Sequence, residues 1–308
     1  MVDVSIVVPT HNRREKLVRL LSSIFKCEFT GTFEVIVVDD ASTDGTCEEV
    51  RRLFPTVRVV RSERELYPAG SRNLGIRNAN GKYVFLVDDD NIIDRDCISE
   101  LFRVLERDAG FRIGVVAPIM YYYGRPDRVW CAGVVRSMTT SLTRFVGRDI
   151  AIKGKLDSLI VSSDFPNCFM VRREVIKKVG FFDEKNFPVH YEEADFGERV
   201  RRAGFRLVCN PRAKVWHDLP LPEEVNDKAR LLHVHSELRA YYAARNRMIF
   251  HRKYSKKWRL LLFISLFNWF FTLYYLMIIL WSKRPVVKRL KTAKAYLKGI
   301  LDGLTTKV

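Results

Sequence analysis

A repeated pairing constrains this chain more than any other feature: a short run of apolar, β-branched residues followed by an amphipathic stretch. Val4 to Val8 is the first such run, and Arg13 to Phe25 then places Leu17, Leu20, Leu21 and Ile24 at helical spacing. Phe33 to Val38 reads as a second strand, Thr43 to Phe54 as a helix, Val57 to Val60 as a third strand, Ser71 to Asn78 as a helix and Tyr83 to Val87 as a fourth strand. Strands apolar on both faces, separated by amphipathic helices, are what a parallel sheet covered on both sides requires. The fold class is therefore α/β. Two of the runs end directly in acids, Asp39-Asp40 and Asp88-Asp89-Asp90. In open α/β sheets the ligand crevice lies at the carboxyl ends of the strands, so position alone makes these acids site candidates.

Further along, Gly114 to Cys131 and Asp157 to Arg172 read as strands and loops. Ala194 to Ala203 reads as a short helix stopped by Gly204, and Phe205 to Cys209 as a strand before Asn210-Pro211. The opening Met-Val-Asp-Val-Ser-Ile-Val-Val-Pro reads as a strand and not as an export segment. The six cysteines are scattered without a Cys-x-x-Cys pair, which predicts reduced, buried thiols in a cytosolic setting.

The net charge of +17 is concentrated in one region. From Lys228 to Val308 there are 18 Lys and Arg against Glu237 and Asp302, whereas the first 227 residues hold 35 basic and 34 acidic side chains. Pro220 and Pro222 read as a linker, and Asp227 to His251 as a basic helix. Leu260 to Ser282 contains no charged residue, and as a helix it would extend ~34 Å. Trp258 and Trp281 bracket it, and Lys283 to Lys298 resembles a surface-lying amphipathic helix. Basic segments on both sides give no clear orientation to a single span. Asn268, Trp269 and Thr272 near the middle offer a break for a re-entrant hairpin, so membrane span, hairpin and interfacial burial all remain open. A basic tail around an apolar segment points to anionic membrane lipid and not to nucleic acid, whose binding would need aromatics interleaved with the charges.

Three carboxylates in a row repel one another unless a cation or solvent compensates them, and such oxygen ligands suit Mg²⁺ or Mn²⁺. Asp39-Asp40-Ala41-Ser42 has the same placement one unit earlier, where an acid can accept from a nucleobase or ribose while Ser42 or Thr43 caps the next helix. Tyr191-Glu192-Glu193-Ala194-Asp195 begins a helix whose dipole keeps acids ionised, so Glu193 is available as a base, with Glu192 and Asp195 as secondary candidates. Asp195 and Arg199 are spaced for a surface salt bridge. His217, taken alone, reads as a structural histidine.

In this order the motifs resemble the inverting glycosyltransferase family two. They are Ser-Ile-Val-Val-Pro-Thr-His-Asn (5–12), Val-Ile-Val-Val-Asp-Asp-Ala-Ser-Thr-Asp-Gly-Thr (35–46), Ala-Gly-Ser-Arg-Asn-Leu-Gly-Ile (69–76) and Phe-Leu-Val-Asp-Asp-Asp (85–90). Asn-Cys-Phe-Met-Val-Arg-Arg-Glu-Val (167–175), Val-Gly-Phe-Phe-Asp-Glu (179–184), Tyr-Glu-Glu-Ala-Asp (191–195), Arg-Arg-Ala-Gly-Phe (201–205) and Val-Trp-His (215–217) follow. The later motifs are closest in style to the rhamnosyltransferase-like branch.

The resemblance implies a GT-A fold. Residues 1–110 would be its nucleotide-sugar-binding half, 111–222 its acceptor-binding half with the catalytic base, and 223–308 a basic, helical membrane-attachment region. It implies that Pro9 and Asp40 line a nucleoside pocket and that Arg72, Asp88 and Asp89 lie at the donor. Asp88 and Asp90 match the Asp-x-Asp positions that hold Mg²⁺ or Mn²⁺, and His217 completes the metal or diphosphate site. Glu193 matches the base, in a Glu-Glu pair where the family usually has Glu-Asp.

The expected activity is metal-dependent, inverting transfer from a UDP-, GDP- or dTDP-sugar to a hydroxyl of a lipid-linked glycan, at the cytoplasmic face of the cell membrane. A polyprenyl-phosphate acceptor is the variant within the class. A sugar-nucleotide pyrophosphorylase would need a Gly-rich phosphate loop where Pro9-Thr10-His11-Asn12-Arg13 stands.

Overall fold

The computed structural model describes residues 2–151 and 158–307; Asp157, first residue of one expected segment, lies outside them. The strands are β1 (Val4–Thr10), β2 (Phe33–Asp39), β3 (Arg58–Arg61), β4 (Tyr83–Val87), β5 (Asn91–Ile93), β6 (Ile113–Tyr122), β7 (Arg125–Cys131), β8 (Val134–Arg136), β9 (Thr143–Phe145), β10 (Ile160–Ser162), β11 (Cys168–Arg172) and β12 (Arg206–His217). The helices are α1 (Arg14–Ile24), α2 (Thr46–Leu53), α3 (Tyr67–Asn78), α4 (Cys97–Arg107), α5 (Arg173–Val179), α6 (Glu192–Arg202), α7 (Lys228–Leu231), α8 (Glu237–Tyr254), α9 (Lys257–Leu262), α10 (Asn268–Leu280) and α11 (Val286–Thr305). The chain forms two compact units: Met1–Val135, Phe145–Phe182 and Phe196–Leu219 make the first, and Arg136–Arg144, Asp183–Asp195 and Pro220–Val308 the second.

The first unit is built on a sheet of order β10-β12-β6-β11-β4-β1-β2-β3, with β5 beside β12 and β7 beside β6. As the sequence predicts, β1 to β4 pair in parallel: β1 runs between β2 and β4, with Val4 opposite both Phe33 and Tyr83. Beyond β4 the sheet turns mixed, because β11 lies antiparallel to β4 and to β6. Apolar residues from one face of the sheet and from α3, α5 and α6 form a core cluster, among them Val7, Val38, Leu86, Ile76, Val175 and Phe196. Gly75 allows α3 to lie directly on β1, since a Cβ there would stand 2.2 Å from Val7 Cγ1. Five cysteines are buried and Cys27 is half-buried, all as free thiols.

The β12 strand runs well past the expected stop at Asn210-Pro211. A register shift between Asn210 and Lys214 absorbs the proline, whose nitrogen has no proton to donate, and pairing with β6 resumes through His217.

In the second unit the expected basic helix is split. Asp227 caps α7 by accepting from the Ala229 amide, and Ser236 caps α8 by accepting from that of Arg239. Lys257–Leu280 is one continuous helix of 24 residues, the only one among the described residues long and apolar enough to cross a membrane. The break that a re-entrant hairpin needs near Asn268 and Thr272 is not made. Both side chains are buried, with Thr272 Oγ1 donating to the Asn268 carbonyl, and the irregularity is a π-helical turn at Phe263–Phe267.

Candidate active site

Because β1 pairs in parallel with both β2 and β4, the segments that leave their carboxyl ends are neighbours. Asp88, Asp89 and Asp90 follow β4, and all three are partnered, two of them by one arginine. Asp88, the most exposed of the three, accepts from Arg72 Nη2 at 2.8 Å. Arg72 is 1% exposed on α3, its guanidinium over the Phe182 ring. Asp89 accepts from Thr10 Oγ1 at 2.7 Å and from Arg13 Nη1 at 2.9 Å, and the same Arg13 nitrogen donates to Asp90 at 2.9 Å.

The two buried acids diverge. Burial, with the charge of Asp90 added, pushes Asp89 up to about 7 against the pull of Arg13. Burial also works on Asp90, but His217 and Arg13 outweigh it and hold this carboxyl well below the usual range. Burial lowers Arg13, yet the two carboxylates prevail and raise it.

His217 reaches the acids through sheet pairing. Asn91–Ile93 runs antiparallel to Val215–His217, with His217 opposite Asn91. Its Nε2 stands 3.3 Å from Asp90 Oδ1, Asn167 Nδ2 lies 3.1 Å from that nitrogen, and Trp130 packs edge-on at 4.5 Å. Arg13, Asn167 and Trp130 carry no role in the sequence reading. Arg13 offered a signal of the same kind as the acids, since it follows the carboxyl end of β1, but its place at a helix start concealed it.

The acids after β2 hold local structure. Asp39, fully buried, accepts from the Ser42 amide and from Cys47 Sγ. Asp40 accepts from the amides of Leu66 and Tyr67 at 2.6 and 3.0 Å, fastening the start of α3, and burial raises its proton affinity. Pro9 is partly exposed in β1, opposite Val38.

Glu192, Glu193 and Asp195 belong to the second unit. His190 and Tyr191, which precede them, both have positive φ, 63° and 68°, a costly conformation for residues with side chains. Asn246 of α8 holds that backbone by donating to the Val189 and His190 carbonyls at 2.8 and 3.0 Å. Asp195, whose spacing to Arg199 predicts a surface salt bridge, does not lie at the surface. It is fully buried, accepting from Lys253 Nζ at 2.8 Å and Tyr254 Oη at 2.6 Å. Lys253 also reaches Asp183 at 3.0 Å. Glu192 is buried and Glu193 partly exposed at the start of α6.

Among the described residues no group of three or more His, Cys, Asp and Glu side chains is placed to hold a metal ion, so Asp88, Asp90 and His217 are not gathered as one ligand set. Asp90 Oδ1 and His217 Nε2 do fit a divalent cation. Their 3.3 Å separation is near the ~3 Å between adjacent ligands of an octahedral ion at 2.0–2.1 Å, and Mg²⁺-type sites typically take few protein ligands plus phosphate oxygens.

The sheet is that of the GT-A fold. The fold recurs in GalNAc-T7 with UDP, GalNAc and Mn²⁺ (TM-score 0.61, 17% identity, 88% of this chain and 56% of that one). It recurs also in the mannosyltransferase PcManGT from Pyrobaculum calidifontis in complex with GDP-Man and Mn²⁺ (TM-score 0.59, 18% identity, 99% and 88%). The chain belongs to glycosyl transferase family 2, whose model matches residues 5–180. A relative in sequence is the glycosyltransferase GlyG of Streptococcus pneumoniae, 36% identical over 115 residues, which are 36% of this chain and 38% of GlyG. The chain spans about a fifth to two fifths of the length of the curated relatives it matches.

Proposed function

We propose that the chain is a membrane-associated, inverting glycosyltransferase of the rhamnosyltransferase-like branch, moving a sugar from a nucleotide diphosphate donor to a hydroxyl of a lipid-linked glycan at the cytoplasmic face of the membrane. The observation that carries this reading is the carboxylate series Asp88–Asp90 at the end of β4, closed by His217, in a family 2 fold. The UDP and GDP-Man of the related structures support a uridine or guanosine diphosphate donor. Residues 1–110 serve the donor, 111–222 the acceptor and 223–308 the membrane.

Pro9 and Asp40 line the nucleoside pocket, and Arg72 and Asp88 form a charged pair at the donor. Asp90 and His217 are the residues that would hold Mg²⁺ or Mn²⁺, which when bound neutralises the diphosphate as it leaves. Asp90 is ionised well below neutral pH, as a metal ligand must be. Glu193 takes the proton from the acceptor hydroxyl. The acceptor oxygen then forms a bond to the anomeric carbon from the opposite face while the bond from that carbon to the diphosphate oxygen breaks, the nucleoside diphosphate leaves with the electron pair, and configuration inverts.

The test is a screen of UDP-, GDP- and dTDP-sugars for hydrolysis and thermal stabilisation, with and without Mn²⁺. One donor raises the melting temperature, and its cleavage is lost in EDTA and in Asp90→Asn. Cleavage unchanged in both would refute the metal-site assignment, and no response to any donor would refute the activity.

A further inference from the structure

The second unit contains a three-helix platform, α8, α10 and α11, two of whose helices carry exposed apolar stripes. In α10, Asn268, Thr272, Ile278 and Ile279 are buried, while Leu262, Leu266, Trp269, Leu273, Met277 and Leu280 form an exposed stripe along the continuous Lys257–Leu280 helix. In α11, Ala293, Tyr296, Gly299, Ile300 and Gly303 face inward. Val287, Leu290, Leu297, Leu301 and Leu304 are exposed at helical spacing, with Lys288, Lys291, Lys294 and Lys298 beside or between them. Two apolar stripes next to lysines complement an anionic lipid surface, which accepts both leucines and charge.

Packing decides how such a surface can meet a bilayer. Tyr275 packs tilted against Tyr296 with ring centroids 5.6 Å apart, and Arg289 Nη1 donates to the Leu280 carbonyl at 2.5 Å, so α10 and α11 form an antiparallel hairpin. Gly299 and Gly303 bring α11 onto α8, where a Cβ would stand 2.3 Å from the Tyr241 carbonyl oxygen and 2.7 Å from that of Arg245. Arg247 of α8 is buried among Phe271, Tyr275 and Tyr296 and locks the three helices together. If α10 crossed a bilayer, α11 with its five Lys and Arg and α8 with Arg245, Arg247, Arg252 and Lys253 would be drawn into hydrocarbon beside it. Each charge there is costly. An orientation in the membrane plane leaves the lysines at the headgroups.

The opposite face of α8 holds the Glu192–Glu193 segment. Asn246 binds the Val189 and His190 carbonyls, Phe250 packs on Tyr191, and Lys253 and Tyr254 hold Asp195. We propose that α8, α10 and α11 lie in the plane of an anionic bilayer, inserted by the two leucine stripes without spanning it, and that α8 ties the Glu192–Glu193 carboxylates to that surface. The acceptor class that follows is one whose hydroxyl is presented at the headgroup level. This rests on the membrane-associated reading above and replaces its open topology with one geometry.

The experiment uses the full chain and vesicles of phosphatidylcholine with or without phosphatidylglycerol, and needs no sugar donor, so it is independent of the transferase assay. Flotation with the anionic vesicles is expected, with binding lost in Leu297→Asp/Leu301→Asp. Lys291→Gln/Lys294→Gln/Lys298→Gln should weaken it roughly 100-fold. These side chains are exposed, and an unchanged melting temperature confirms that each variant folds. Nitroxides on Leu262→Cys, Leu273→Cys and Leu280→Cys should report one shallow depth. A gradient of ~10 Å between 273 and 280 would mean a spanning helix and overturn the geometry while keeping membrane association. No flotation overturns both, and a dimeric mass in that case assigns the exposed stripes to a second copy of the chain.

Discussion

Arg13 Nη1 reaches both Asp89 and Asp90, so its loss leaves two buried carboxylates with less compensation than the fold was built around. Arg13→Met is expected to cost ~1–3 kcal/mol in urea unfolding at neutral pH, and Asp89→Asn in the same chain should recover part of it. No loss in the single variant would mean that solvent already screens the pair. In the other unit, Glu193→Gln should abolish transfer while leaving donor-induced thermal stabilisation intact, because a base acts on the acceptor alone. If Glu192→Gln is the inactive variant instead, the base is the buried neighbour. Asp40 is a different case, since its oxygens already accept from the Leu66 and Tyr67 amides. Asp40→Asn should therefore loosen the start of α3 as well as weaken nucleoside binding.

In the second unit the close approach of α11 to α8 depends on Gly299 and Gly303. Gly299→Leu should force α11 away from the Tyr241 carbonyl and destabilise the unit by ~1–3 kcal/mol, with faster proteolysis near residues 286–305. Gly124→Ala, where an added Cβ meets nothing within 4 Å, is the matching control and should change neither. Sequence patterning showed β1 to β4 and their helices well, because buried parallel strands advertise themselves as continuous apolar runs. It placed the start of α2 too early, at Thr43, because Asp44 accepts from the Thr46 amide and hydroxyl and sets the turn there. It ended β12 at Cys209, before Asn210-Pro211, because a bulge that shelters a proline depends on the neighbouring strand. The acidic motif was legible for the same local reason as the strands. Arg13, 76 residues from Asp89, and Asn167, 50 residues from His217, were not, since such distant contacts are fixed by sheet order and leave no periodic trace.

At the scale of the whole chain, acid stability follows from two histidines in the unit that carries most of the charge. Burial lowers His251 to about 3, aided by Arg247 and Arg136, and its ring stacks on Phe263 with Nδ1 2.9 Å from Ser255 Oγ. Burial likewise lowers His190 to about 3, aided by His233, Arg239 and His235. Both start from an ordinary value of 6.5. The folded chain therefore keeps them neutral where the unfolded chain takes up protons, so stability is fully present above pH 6.5 and falls as pH drops toward 3. Each contributes a slope of up to ~1.4 kcal/mol per pH unit inside that window. Carboxylates held low, such as Asp183 beside Lys253, add their losses only near and below pH 4. Between pH 6.5 and 5 the decline therefore belongs to the histidines, and Asp89, raised from 3.8 to about 7 by burial, offsets part of it because there the folded chain is the better proton acceptor. The melting temperature should drop across that interval, and His190→Gln/His251→Gln should flatten the drop even though the variant starts lower. An equal slope in that variant, or a level profile in the parent chain, would show that these rings meet enough water to titrate normally.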